Sequence, residues 1–110
     1  MNDGSDLASC SASEPFALRV IGDEMAPEFE DGHVIIVDPG GRVADGCYVI
    51  ARQGEAMIFR QLRVEGDRWR LHALDPSVSD VALAGGLADI VGVISQRSGT
   101  RRSQHKRYDV

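Results

Sequence analysis

Aromatic residues make up only 5% of this 110-residue chain. Lysine occurs once, as Lys106, serine is absent from residues 15–75, and cysteine is limited to Cys10 and Cys47. Two cysteines, one near the N-terminus and one in an apolar segment, give neither a disulfide framework nor metal-ligand spacing. Unpaired thiols fit a reducing compartment. Three scattered histidines make no metal site, and no cofactor is expected. Apolar runs are short: Val34 to Val37 stops after four residues, far below the roughly 20 that a membrane-spanning helix needs. The stretch Leu7-Ala8-Ser9-Cys10 superficially matches a lipoprotein cleavage box, but six residues precede it, including Asp3 and Asp6, with no basic start and no apolar segment. The expectation is a cytoplasmic protein with no membrane partner.

What is present reads as one globular domain. Hydrophobic residues account for 43% and charged residues for 26%, ordinary values for a packed chain rather than a disordered one. A chain of this length supports a single core. Charge is distributed unevenly. The net value is −5, but residues 97–110 hold five basic and one acidic side chain, leaving seven basic and sixteen acidic in residues 1–96. The organisation read from composition is a flexible leader over 1–14, a domain over 15–96 and a basic flexible tail over 97–110.

Within the domain the periodicity is that of strands. Phe16, Leu18 and Val20 alternate with Ala17 and Arg19, the period of a half-buried strand. Met25 to Glu30 suits a turn or one short helical turn, and Asp31-Gly32 punctuates before Val34 to Val37. Further strands are expected at Cys47 to Ala51, Glu55 to Val64, Arg68 to Leu74 and Ile90 to Ser95. Those at 55–64 and 68–74 form a hairpin across Glu65-Gly66-Asp67. Arg68, Arg70 and His72 alternate with Trp69, Leu71 and Ala73, which suggests a solvated face. About seven short strands, frequent turns and no long amphipathic helix predict a mainly β fold, a small barrel or sandwich.

The segment Leu18 to Pro39, LRVIGDEMAPEFEDGHVIIVDP, resembles the signature of the LexA, UmuD and phage-repressor C-terminal domain family, of the form V-x-G-D-S-M-x-P-x-x-x-D-G-D-x-V-x-V-D. Val20, Gly22, Asp23, Met25, Pro27, Asp31, Gly32, Val37 and Asp38 fit it. Asp45-Gly46 before Tyr48 to Ala51, then Arg60-Gln61-Leu62, Leu74-Asp75-Pro76 and Ile90 to Ile94, follow in the family's order. The resemblance covers residues 16–95 and implies a LexA-like fold.

In that family the Ser of the signature is the nucleophile, and a Lys on a later strand removes its proton. Here Glu24 stands at the Ser position and Arg60 at the Lys position. Glu24 has no hydroxyl, and Arg60 stays protonated at physiological pH, so it cannot act as a general base. No serine in residues 15–75 and no lysine other than Lys106 is available for rescue. The resemblance therefore implies a Ser-Lys peptidase homologue without its dyad. The opposite charges of Glu24 and Arg60 suggest an ion pair in the former cleft, or a ligand site in which Arg60 holds a carboxylate.

The function implied is a non-catalytic LexA-like domain acting in protein interaction, by homodimerisation or by binding a peptide or regulatory protein, linked to transcriptional, stress or SOS-type regulation. The apolar segment Ile90 to Ile94 would serve either a dimer interface or the core. Two alternatives stand beside this reading. One is a divergent peptidase or hydrolase using Glu24 as acid or base. The other is a small DNA-associated regulator using Arg97, Arg101, Arg102, Lys106 and Arg107 as an electrostatic arm, with Tyr108 adding stacking. The acidic body and the lack of a DNA-reading module weigh against nucleic acid. His33 reads as a polar residue at a strand edge, and Cys47 as a small buried hydrophobe.

Overall fold

The computed structural model describes residues 14–109 and is mainly β, as expected. The leader expected over residues 1–14 lies, except for Glu14, outside the described residues. Eight strands follow one another: β1 Phe16–Arg19, β2 Val34–Asp38, β3 Tyr48–Gln53, β4 Ala56–Glu65, β5 Arg68–His72, β6 Val81–Ala82, β7 Ile90–Ser98 and β8 Lys106–Arg107. Two short 3-10 turns, Gly86–Asp89 and Arg102–Gln104, complete the regular structure among the described residues. All pairings are antiparallel, in the order β1-β2-β7-β3-β4-β5-β6, with β8 added to β7.

Local chemistry accounts for the two tight hairpins. Gln53 pairs with Ala56, and Glu65 with Arg68. Each loop is therefore two residues long and begins with a glycine at φ 63°, the left-handed conformation that such loops demand and that glycine adopts without a Cβ penalty.

The centre of the sheet is buried on both faces. Ile50 and Ile94 join one cluster with Val20, Met25, Phe29, Ile35, Val37 and Ala73. Their chain neighbours Val49 and Val93 join the other with Ala51, Leu62, Leu71 and Leu83. Successive strand residues point to opposite faces, so β3 and β7 supply both clusters at once. This decides the role of Ile90 to Ile94. Val93 and Ile94 are core, and β7 lies between β2 and β3 rather than at an exposed interface.

Residues 97–109 depart from the expected tail. β7 continues through Ser98, and β8 returns along it, pairing Gln96 with Arg107 and Arg97 with Lys106. The boundary expected at Gln96 falls inside a strand. Composition misled because the returning strand is two charged residues long, and its anchor lies elsewhere in the chain. That anchor is Glu28, whose carboxylate accepts hydrogen bonds from Lys106 Nζ at 2.8 Å and from the Tyr108 hydroxyl at 2.6 Å. Arg97 donates to the Glu28 backbone carbonyl and to the Gln104 carbonyl.

Candidate functional site

The signature segment forms a looped crossing between β1 and β2, and its residues act first on the backbone. Asp31 Oδ1 accepts the Gly22 N–H at 2.8 Å. Gly32 donates to the Val20 carbonyl, and Val20 to the His33 carbonyl, both at 2.8 Å. Met25 and Phe29 are buried and anchor the loop in the first cluster. The Ala26–Pro27 peptide bond is cis. Asp23 contributes its backbone carbonyl to a turn closed by the Ala26 N–H. Gly22 has φ 95°, and a side chain there would begin where the Glu24 carboxylate lies. The motif GDEM thus holds residue 24 at the rim of the loop, over a glycine that leaves room for its side chain.

Glu24 and Arg60 line one cavity of about 260 Å³, together with Val20, Ile21, Gly22, Met25 and residues Met57 to Phe59 of β4. The sequence placed these two positions together, and the fold does so. The expected ion pair is not formed. The Arg60 guanidinium turns back to its own strand and donates from Nη1 to the Phe59 carbonyl at 2.8 Å, while the Glu24 carboxylate lies over Gly22. Arg60 Nε is buried without a hydrogen-bond partner among the described residues. Because each side chain is held by its own strand or loop, Glu24→Gln and Arg60→Met are expected to change stability additively to within about 0.5 kcal/mol. Urea unfolding of both single variants and the double variant measures this, and a coupling above about 1 kcal/mol would contradict the separate arrangement.

A second cavity of about 320 Å³ adjoins the first, sharing Val20, Ile21, Met57, Ile58 and Phe59 and extending to Phe16, Leu18, Ile35, Ile50 and Val91. Its surroundings are apolar and open. Ile21 is 83% and Met57 64% exposed, an unusual outlay of large apolar surface on a small domain. β1, with Phe16 and Leu18, forms one edge of the sheet and among the described strands pairs only with β2. An apolar groove beside a strand edge that no described strand pairs, adjoining a cavity lined by Arg60, can take up an extended chain.

Other expected site residues fall elsewhere. His33 is buried, its Nδ1 accepting the Glu30 N–H at 3.0 Å. Cys47 is half-buried, and burial pushes its thiol above the ordinary value, which suits an inert side chain. The face carrying Arg70 and His72 is ion-paired as well as solvated: Asp80 accepts from Arg70 and contacts His72 Nδ1, both at 2.7 Å. The hydrogen bond with His72 is the main reason that the Asp80 carboxyl sits below the usual aspartate value. Tyr108 does not project as a stacking residue. Its ring packs 5.4 Å from that of Phe29 and 5.6 Å from that of Tyr48. Among the described residues no group of His, Cys, Asp or Glu is placed to hold a metal ion, and no helix is long and apolar enough to cross a membrane.

The residue that sequence reasoning missed is Glu28. It occupies an unspecified position of the signature, and the only available signal was the basic cluster far along the chain that it binds.

Comparison with known proteins places these features in context. Residues 5–95 match the Peptidase S24-like family. Over 88 residues the chain is 34% identical to the HTH-type transcriptional regulator for conjugative element SXT from Vibrio cholerae, covering 74% of this chain and 40% of the regulator. It is 32% identical over 94 residues to prophage repressor CohE from Escherichia coli, covering 83% of this chain and 42% of the repressor. The chain thus spans about two fifths of the length of these relatives.

Proposed function

Because this chain belongs to the Peptidase S24-like family, we propose that it serves as a non-catalytic interaction domain of a transcriptional regulator, holding an extended apolar segment in its groove without cutting it. The observation that carries this reading is the composition of the cavity. At the positions where the resembled family has its nucleophile and base, Glu24 offers no hydroxyl and Arg60 no lone pair at physiological pH. The groove beside it has features that suit a peptide, namely exposed apolar side chains and a strand edge unpaired among the described strands. Arg60, which lines the cavity and forms no ion pair with a described residue, would hold a carboxylate of the bound segment. The names of the relatives, a regulator of a conjugative element and a prophage repressor, support a role in transcriptional control; an SOS or stress link and a cytoplasmic location are part of the proposal.

The bound segment can come from a regulatory protein or from a second copy. Antiparallel pairing of two β1 edges is isologous, the arrangement that makes closed dimers, and we take a homodimer as part of the proposal. Three measurements test it. Intact mass after incubation at mildly alkaline pH should show an uncut chain. A clean internal cut abolished by Glu24→Gln would sink the non-catalytic reading in favour of a divergent hydrolase. Binding of a fluorescein-labelled apolar peptide carrying one glutamate should weaken about tenfold in Arg60→Met, the loss of one charge-assisted contact; an unchanged affinity removes Arg60 from the site. Sedimentation velocity should show a monomer–dimer equilibrium, and a monomer at every concentration rejects the second-copy arm.

A further inference from the structure

We propose that the hairpin of β7 and β8 is a docking surface for the phosphate backbone of double-stranded DNA, bound without regard to sequence. The proposal is independent of the groove and rests on how this segment is charged, held and composed.

Residues 97–110 carry five of the chain's twelve basic side chains and one acid, on a protein whose net charge is −5. The fold divides those five into two groups. Arg97 and Lys106 are engaged by Glu28, and with the β7–β8 pairing they fix the hairpin to the body. Arg101, Arg102 and Arg107 are exposed and form no ion pair with any described residue. One group therefore builds the platform, and the other is left on its surface. Cations held in this way lose less freedom on meeting an anion than cations on a loose tail.

The tip supplies what phosphate recognition uses. Ser98, Gly99, Thr100, Arg101, Arg102 and His105 surround an open depression of about 600 Å³. Guanidinium groups bind phosphate oxygens in pairs, and hydroxyl groups with backbone N–H complete such contacts.

Composition separates DNA from other polyanions. The run Ser98 to His105, SGTRRSQH, contains no aliphatic residue and no Phe, Tyr or Trp. Specific protein partners are met through an apolar core with aromatic anchors, and membranes through apolar side chains that enter the lipid. Interfaces with DNA are polar and strongly positive, which is the character of this tip. Single strands are held by stacking bases on large aromatic rings, but Tyr108, the Phe, Tyr or Trp nearest in sequence, is packed against Phe29 and Tyr48. Among the described residues no α-helix is present to enter a groove and read base edges, and β8, at two residues, makes only a short ribbon. The contact is left with the duplex backbone. Residues 1–96 carry sixteen acidic and seven basic side chains, so the remainder of the domain repels DNA on average and favours approach by the hairpin.

The test is fluorescence anisotropy of the full chain with a labelled mixed-sequence duplex of about 20 base pairs, for which non-specific affinities are on the order of 1–100 µM. Three phosphate contacts give a slope of log affinity against log salt near −2.7, so raising salt from about 50 to about 200 mM should weaken binding about 40-fold. Changing Arg101, Arg102 and Arg107 together to Gln should reduce affinity at the lower salt at least about tenfold and flatten the slope toward zero. The corresponding change to Lys should keep most of both. A second duplex of unrelated sequence should bind equally well within about twofold. The proposal is overturned by absence of binding at the lowest salt or by an unchanged Gln variant. It is overturned equally if single-stranded DNA of the same length, poly-glutamate or phosphatidylserine vesicles match or exceed the duplex. Circular dichroism of the Gln variant should match the wild type, because the side chains removed touch none of the anchoring contacts.

Discussion

Phe29→Ala is expected to destabilise the protein by about 3–5 kcal/mol, the range for removing a fully buried phenylalanine. Phe29 is 0% exposed. Its ring stands edge-on to Tyr48 at 4.7 Å and to Phe59 at 4.8 Å, with Tyr108 tilted against it at 5.4 Å. Four of the chain's six aromatic residues therefore meet at this one point. These rings come from the signature loop, β3, β4 and the segment after β8, so little of the surroundings can collapse into the space without moving a strand. Since small domains are stable by only about 5–15 kcal/mol, the variant should lose a large fraction of its stability. Urea unfolding should show a lower midpoint at an unchanged slope, the mark of a stability change alone. A loss below about 1 kcal/mol would mean that the loop carrying Glu24 is anchored by something other than this cluster.

The sequence made the strands legible and the closure of the fold illegible, and the difference is physical. β1 to β5 and β7 carry period-2 or continuous apolar patterns bounded by Gly, Pro and Asp, so local chemistry already encodes them. Their ends moved by only a few residues: the third strand starts at Tyr48 rather than Cys47, and the last runs to Ser98 rather than Ser95. β6 and β8 are two residues each, too short for any periodicity to register. β8 is also made of Lys106 and Arg107, which read as a solvated tail because their pairing depends on a register set by β7. The outer residues of the hairpin are held by Glu28, 78 positions from Lys106 and 80 from Tyr108, a separation at which composition carries no signal.

The candidate site was legible to the same extent and for the same reason. Spacing within the signature fixes the turn, so the roles of Gly22, Asp31 and Gly32 follow from the chain itself. Bringing Glu24 and Arg60 to one cavity follows from the resemblance, which supplies the long-range pairing that periodicity cannot. The ion pair did not follow, because charge complementarity at two positions says nothing about the nearer partners each side chain has. For Arg60 that partner is the Phe59 carbonyl, and for Glu24 the space above Gly22. Opposite charges in one cavity attract only weakly where water screens at least one of them, and Glu24 is exposed. An arginine left without a carboxylate is the basis of the proposed carboxylate contact.

Glu28→Ala is expected to cost about 2–3 kcal/mol at neutral pH, below the full range for a broken buried pair because the cluster is partly open to water. The Glu28 and Arg97 side chains are 24% and 14% exposed, while Lys106 is 48% exposed. Removing the carboxylate leaves the Tyr108 hydroxyl without its acceptor and the Arg97 guanidinium without its counter-charge in that half-buried setting, although Arg97 keeps its two backbone acceptors. Burial pushes the Glu28 carboxyl up, but hydrogen bonds from Lys106 and Tyr108, with the charges of Lys106 and Arg97, outweigh it and hold the group below its ordinary value of 4.5. A carboxyl depressed in the folded state binds protons more readily once unfolded, so its contribution is present above the unfolded value and is lost as pH falls through the folded one. The gap in stability between wild type and Glu28→Ala should therefore be constant from about pH 6 upward and narrow on acidification below about pH 4.5. Glu28→Gln, which keeps an acceptor but not the charge, should fall between the two. Combining Glu28→Ala with Tyr108→Phe should cost less than the sum of the single changes, since both remove the same 2.6 Å hydrogen bond. Urea unfolding at pH 7 and about pH 3 reads all three outcomes; a gap that does not change with pH would mean that Glu28 holds the C-terminal hairpin by packing alone, with its charge contributing nothing.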